Sequence, residues 1–172
     1  SVELDLKSEE GLKLFKELVS VADVVVDNFS QGVTKRLGID HQTLKKVNPK
    51  IITCSISGFG DTEVNRPAYD NLIQGYAGAM SITGTDKENP VKSGIPIADL
   101  GAGLYAVIGI LSAIQSREKN DSGEHVDISM LDTQVSLLTY MATMHFLSGE
   151  NPEPIGNQHM NHVPFNSYRT SD

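Results

Sequence analysis

The chain has no tryptophan and a single cysteine, and aromatic residues make up only 6% of its 172 positions. A core with so few rings must be filled by aliphatic side chains. One cysteine, Cys54, excludes an internal disulfide and any disulfide-built scaffold, and fits a reducing cytoplasm. Positive charge is also short: 14 Lys and Arg against 22 Asp and Glu leave a net charge of −8. That balance argues against a general nucleic-acid binder but leaves room for a local basic pocket. No apolar run reaches the ~20 residues of a membrane span. The most apolar stretch, Leu100 to Ile114, follows Asp99, precedes Arg117-Glu118-Lys119, and reads as a buried core helix rather than a membrane helix. Familiar catalytic signatures are missing as well. Gly101-Ala102-Gly103 has the wrong spacing for a dinucleotide fingerprint, and neither a Walker-type loop nor a Gly-x-Ser-x-Gly elbow occurs. His159 and His162, with His145 upstream, lack supporting cysteines or a carboxylate pair, so they read as solvated loop histidines and no metal site is expected.

What is present is ordinary soluble-globular usage, 39% hydrophobic and 21% charged. Val2 to Leu6 alternates apolar and acidic residues and reads as a strand rather than a secretory leader. Ser8 should cap a helix carrying Leu12, Phe15 and Val19 on its apolar stripe. Val24-Val25-Val26 reads as a strand buried on both faces. Gly32 to Leu37 should form a short helix ended by Gly38, and Asp40 should cap another that stops at Asn48-Pro49. Ile51 to Ser57 is the next expected strand, and Asn71 to Ala79 the next helix. The apolar helix from Leu100, a strand His125 to Ser129 and one long helix Met130 to Leu147 follow. Strands and helices alternating in this way predict parallel βαβ units with right-handed crossovers. With no initiator Met and no closing element, the chain reads as part of something longer.

Asp99 is the most informative single residue. Placed just before a helix starting at Leu100-Gly101-Ala102-Gly103, it is expected to serve as the N-cap. The same position suits a carboxylate nucleophile with small neighbours that leave room for a substrate. The helix dipole would keep it ionised, and nearby amides would stabilise charge on an attacked carbonyl. Asn28 and Phe29 end the valine strand, at the carboxyl edge where open α/β sheets bind ligands. Arg36 is a solvated helix charge or a phosphate contact.

Asp27-Asn28-Phe29-Ser30-Gln31-Gly32-Val33 with Arg36-Leu37-Gly38 resembles the E-N-F-x-P-G-x-x-x-R-L-G segment of class III CoA transferases, the CaiB/BaiF or formyl-CoA transferase family. The order continues through Asn48-Pro49-Lys50-Ile51-Ile52, Ser55-Ile56-Ser57-Gly58-Phe59-Gly60 and Arg66-Pro67-Ala68-Tyr69-Asp70. It then reaches Ile97-Ala98-Asp99-Leu100-Gly101-Ala102-Gly103 and Gly123-Glu124-His125-Val126-Asp127-Ile128-Ser129-Met130-Leu131-Asp132. Gln31 departs from the usual proline.

The resemblance implies an α/β, Rossmann-like parallel sheet with flanking helices, the central fragment of a two-domain fold whose two chains interlock as a homodimer. Residues 1–147 would belong to the large domain carrying the CoA site and catalytic aspartate, and residues 148–172 to a linker towards the small domain. It further implies Asp99 as the catalytic nucleophile, with Leu4, Lys7, Asn28, Phe29, Arg36, Tyr69 and Asp70 binding CoA or substrate. Acyl-CoA and a carboxylic acid would be the substrates, with coenzyme A as substrate rather than a tightly bound cofactor, and no nucleic acid, membrane or metal. The reaction would be CoA transfer through an aspartyl anhydride and an aspartyl-CoA thioester. The isolated fragment would be inactive, lacking the first strand and the loop that closes over the intermediate. Two alternatives stand beside it. One is a 2-methylacyl-CoA racemase of the same superfamily, which carries Gly-His-Asp where this chain has Ala68-Tyr69-Asp70, and a tyrosine is a poor base beside histidine. The other is a non-catalytic α/β binding fragment.

Overall fold

The computed structural model describes residues 1–64 and 66–172. Three parallel strands, β1 (Val24–Asp27), β2 (Ile52–Ser57) and β3 (His125–Ser129), form one sheet in the order β1-β2-β3. The registers pair Val24 with Ile52 and Thr53 with His125. Between β1 and β2 run two short helices, α2 (Val33–Leu37) and α3 (His41–Lys45), after the opening helix α1 (Glu9–Val21). Between β2 and β3 run α4 (Asp70–Tyr76), a short 3-10 turn Ala79–Ile82 and the long α5 (Ile97–Asn120). The helices α6 (Met130–Ser136) and α7 (Tyr140–Ser148) follow β3, and the chain then winds without regular structure. The sheet is therefore parallel α/β, as the alternation of elements predicts.

Local chemistry sets the helix ends. The Ser8 hydroxyl accepts from the Gly11 amide at the start of α1, and Asp40 accepts from the Thr43 amide at the start of α3. Gly38 closes α2 in the left-handed conformation, φ +68°. Two apolar clusters lie on opposite faces of the sheet. On one face Val19, Ile39, Leu44 and Ile51 join α1 and α3 to β1; on the other Ile73, Ala98, Ala102 and Met130 join α4, α5 and α6 beneath Phe59.

Four expectations change. Val2 to Leu6 forms no strand: the segment has no regular structure and turns at Leu6-Lys7, because no strand among the described residues lies alongside to pair with it. The valine strand is not buried on both faces; among the described residues β1 is an edge strand paired with β2 alone, and Val26 is 55% exposed. The segment 130–147 is two helices rather than one, broken at Thr139, whose φ of +50° no continuing helix can hold. Finally, α5 is buried on one side only. Ala98, Gly101, Ala102, Ala106 and Ala113 face the protein, while Leu100, Leu104, Val107, Ile108 and Leu111 are exposed. By length and composition α5 is the one helix among the described residues that could cross a membrane, with 28% of its apolar window buried. Its small residues let it lie close to β3 and α6, where Gly109 meets Val126 and Gly101 meets Thr133 and Leu137.

Candidate active site

Asp99 lies in the first turn of α5 and not at its cap; Pro96 holds the cap position and has no side-chain hydrogen bond to give. The capping carboxylate comes from elsewhere. Asp70, first residue of α4, accepts from the Ala98 amide at 2.9 Å and the Asp99 amide at 3.3 Å through Oδ1. Its other oxygen accepts from Gln74 Nε2 at 2.6 Å, and Gln74 Oε1 in turn accepts from the Ser93 amide at 2.8 Å. Gln74 is buried, and this chain of bonds ties α4, the 83–96 loop and the start of α5 into one unit.

The arrangement alters two expectations about Asp99. The amides of Ala98 and Asp99 go to Asp70, that of Ile97 to Ile95, and that of Leu100 to Pro96. None of these four is left to stabilise an oxyanion. The helix end also fails to hold Asp99 at an ordinary acidity: partial burial, and next the neighbouring Asp70 carboxylate, push its pKa above the usual aspartate range. Burial, and then the Asp70 carboxylate, outweigh the helix dipole, whose donors Asp70 already occupies.

Asp99 opens on a cavity of about 500 Å³ at the carboxyl edge of the sheet. Asn28, Phe29, Tyr69 and Asp70 line it too, so five of the expected site residues meet in one place. Asn28 is held by donation from Nδ2 to the Ile56 carbonyl at 2.8 Å, and the Phe29 amide by the Asp27 carboxylate at 3.1 Å. The rim after β2 depends on glycine. A Cβ on Gly58 would run into the Cβ of Ala68, and Gly60 sits at φ +66° with its missing Cβ 3.0 Å from the Asp127 carboxylate. The Gln31 side chain donates to the Thr62 carbonyl and bridges the loops after β1 and β2.

Leu4, Lys7 and Arg36 do not line this cavity. Leu4 is half-buried in the irregular opening segment, Lys7 is an exposed turn residue, and Arg36 lies exposed on α2 near Gly32. An adjoining cavity of about 450 Å³, on the α3 face of the sheet, shares Phe29, Ser30, Gln31, Ser57 and Gly60 with the first and adds Lys35, His41, Thr53 and His125. In its floor the Thr53 hydroxyl bridges His41 Nδ1 at 2.9 Å and His125 Nδ1 at 2.8 Å.

Sequence reasoning assigned no role to Gln74, Arg66, Lys92 or Met130, the last three of which line the Asp99 cavity. A signal existed for Gln74, a polar residue among the apolar positions of α4 and four residues after Asp70. Arg66 and Lys92 sit in loops whose periodicity says nothing.

A parallel α/β sheet with an acidic residue at the amino end of a crossover helix, facing a cavity at the strands' carboxyl edge, defines a Rossmann-like fold with its cavity where such sheets place their ligands. The chain belongs to CoA-transferase family III, whose model matches residues 1–172. It is 38% identical, over its whole length, to a succinate–glutarate CoA-transferase of Agrobacterium fabrum, of which it covers 44%. It is 37% identical to an acetyl-CoA:oxalate CoA-transferase of Acetobacter aceti, of which it covers 45%. Among solved structures, a CaiB/BaiF family protein from Brucella suis superposes with a TM-score of 0.93 at 39% identity, over 99% of this chain and 46% of that one. The chain thus spans less than half the length of the curated relatives it matches.

Proposed function

We propose that the protein containing this chain transfers CoA from an acyl-CoA thioester to a carboxylic acid, with Asp99 as the nucleophile. The observation that carries this reading is the position of Asp99, facing a cavity that Asn28, Phe29 and Tyr69 also line, at the edge of the sheet where ligands bind. The Asp99 carboxylate attacks the thioester carbonyl and CoA leaves as the thiolate, giving a mixed anhydride. The thiolate then attacks the aspartyl carbonyl, releasing the donor acid and leaving an aspartyl-CoA thioester. The acceptor carboxylate attacks this thioester and re-forms an anhydride, from which the thiolate takes the acceptor acyl group and frees Asp99. A hydrolysable anhydride requires exclusion of water. Donors for the tetrahedral oxyanions come from groups other than the α5 amides, which are already engaged.

In the same reading, residues 1–147 belong to the large, CoA-binding domain of a two-domain cytoplasmic homodimer, and residues 148–172 lead to the small domain. Leu4, Lys7 and Arg36 contact the nucleotide end of CoA, away from the Asp99 cavity, with Arg36 donating to phosphate. Incubating the full-length protein with an acyl-CoA should leave a CoA adduct on the Asp99 peptide, visible by mass spectrometry, and Asp99→Asn should abolish both the adduct and transfer. Deuterium entering C2 of a 2-methylacyl-CoA in D2O, without transfer to any acid, would instead identify a racemase.

A further inference from the structure

Two cationic side chains line the Asp99 cavity, Arg66 and Lys92, and they are held differently. Lys92 turns back to the carbonyl of Ser93, which its Nζ reaches at 3.2 Å. The Arg66 guanidinium lies over two aromatic rings, 5.3 Å from the centroid of Phe59 and 4.6 Å from that of Tyr76. Those rings meet edge to face at 84°, and Phe59 is buried in the cluster with Ile73, Ala98, Ala102 and Met130. A seat of this kind holds the guanidinium through its face and leaves its in-plane N–H fork open.

Among the described residues Arg66 makes no ion pair and no hydrogen bond. The acids of the cavity do not claim it. Asp70 already accepts from Ala98, Asp99 and Gln74. Asp99 shows none of the lowering that a touching guanidinium would bring; burial and Asp70 alone act on it, and both raise its pKa. One cavity therefore carries a nucleophilic carboxylate and, apart from it, a positioned fork with no anion. A planar fork of donors matches a carboxylate.

We infer that Arg66 is a specificity-determining residue that binds the distal carboxylate of a dicarboxylic acyl group while its other carboxyl carbon faces Asp99. The inference rests on the CoA-transfer reading. A monocarboxylic acid of the same length would leave the fork unpaired in a partly desolvated cavity, and the site would discriminate against it. A CoA phosphate is the other anion that would fit the fork, and the two predict different losses.

The test titrates succinate and butyrate into the full-length protein saturated with free CoA, with binding read by calorimetry. Wild-type protein is expected to prefer succinate by roughly ten- to a hundredfold, the span that a charge-assisted hydrogen bond supports. Arg66→Met should erase that preference without weakening CoA, and Arg66→Lys, which keeps the charge but loses the fork, should fall between. No succinate preference in the wild type, a preference that survives Arg66→Met, or a loss of CoA affinity in Arg66→Met would each overturn the inference. Turnover is measured separately with acetyl-CoA as donor. Arg66-dependent succinate binding without turnover would remove the CoA-transfer reading and leave the carboxylate site standing.

Discussion

At the scale of single residues, the centre of the site is a pair of acids with opposite duties. Asp70 spends its oxygens on the α5 amides and Gln74, and Asp99 is left facing the cavity with its pKa raised by burial and by Asp70. On the proposed CoA-transfer reading Asp99 attacks as a carboxylate and works only when ionised, so the acidic limb of the rate profile should lie above that of an ordinary aspartate. Asp70→Asn keeps an oxygen for the amides but removes the like charge, so that limb should move to lower pH in initial-rate measurements. An unmoved limb would show that Asp70 does not act on Asp99. A second residue-scale effect belongs to His41, whose pKa falls below 6.5 chiefly through burial and then through His125 and Lys45, against a smaller opposing pull from Asp40. The unfolded chain therefore binds the proton more readily than the folded one. The resulting stability is present above about 6.5 and is lost as the pH falls towards the folded-state value. Denaturant titrations from neutral pH to pH 5 should show this loss, and His41→Gln should flatten it.

At the scale of elements, the break between α6 and α7 shows how one backbone angle divides an otherwise continuous helical pattern. Thr139 sits at φ +50° and ψ −121°, a region costly for a β-branched side chain and open to glycine. Thr139→Gly should therefore stabilise the protein by about 1 kcal/mol, read as a higher denaturant midpoint at unchanged slope. A destabilised variant would show that the Thr139 side chain contributes more than its backbone costs. The start of α5 follows the same rule of local need. With proline at the cap position, the helix takes its cap from Asp70, 28 residues back, and that long-range bond sets where Asp99 stands.

At the scale of the whole molecule, two surfaces stand out as open to association. Among the described residues the outer edge of β1 has no strand beside it, and α5 shows solvent a stripe from Leu100 to Leu111 in which five aliphatic side chains are each more than half exposed. Free strand edges and apolar stripes of this size promote association. The 172-residue chain by itself is expected to self-associate, with a concentration-dependent shift in sedimentation velocity, and to transfer no CoA. Leu104→Lys with Ile108→Lys should reduce the association. A monodisperse monomer with full transferase activity would refute both expectations.

Much of this protein is set by short-range chemistry and is therefore legible in its residues. Ser8, Gly38 and Asp40 mark helix ends because each serves an amide or a backbone angle a few residues away. The alternation of β-branched runs with helical stripes sets the parallel sheet, and Asn28, Phe29, Tyr69, Asp70 and Asp99, which the resemblance groups as a candidate site, line one cavity. Only the tertiary structure decided which groups reach which. That Asp70 caps α5, that Gln74 is buried to hold it, and that Arg66 rests on Phe59 and Tyr76 all depend on contacts through space between separate elements. The same holds for Val2 to Leu6 and for β1, whose patterns suit a strand and a buried strand. Strand pairing and burial belong to neighbours, and no alternation within a segment can supply a neighbour.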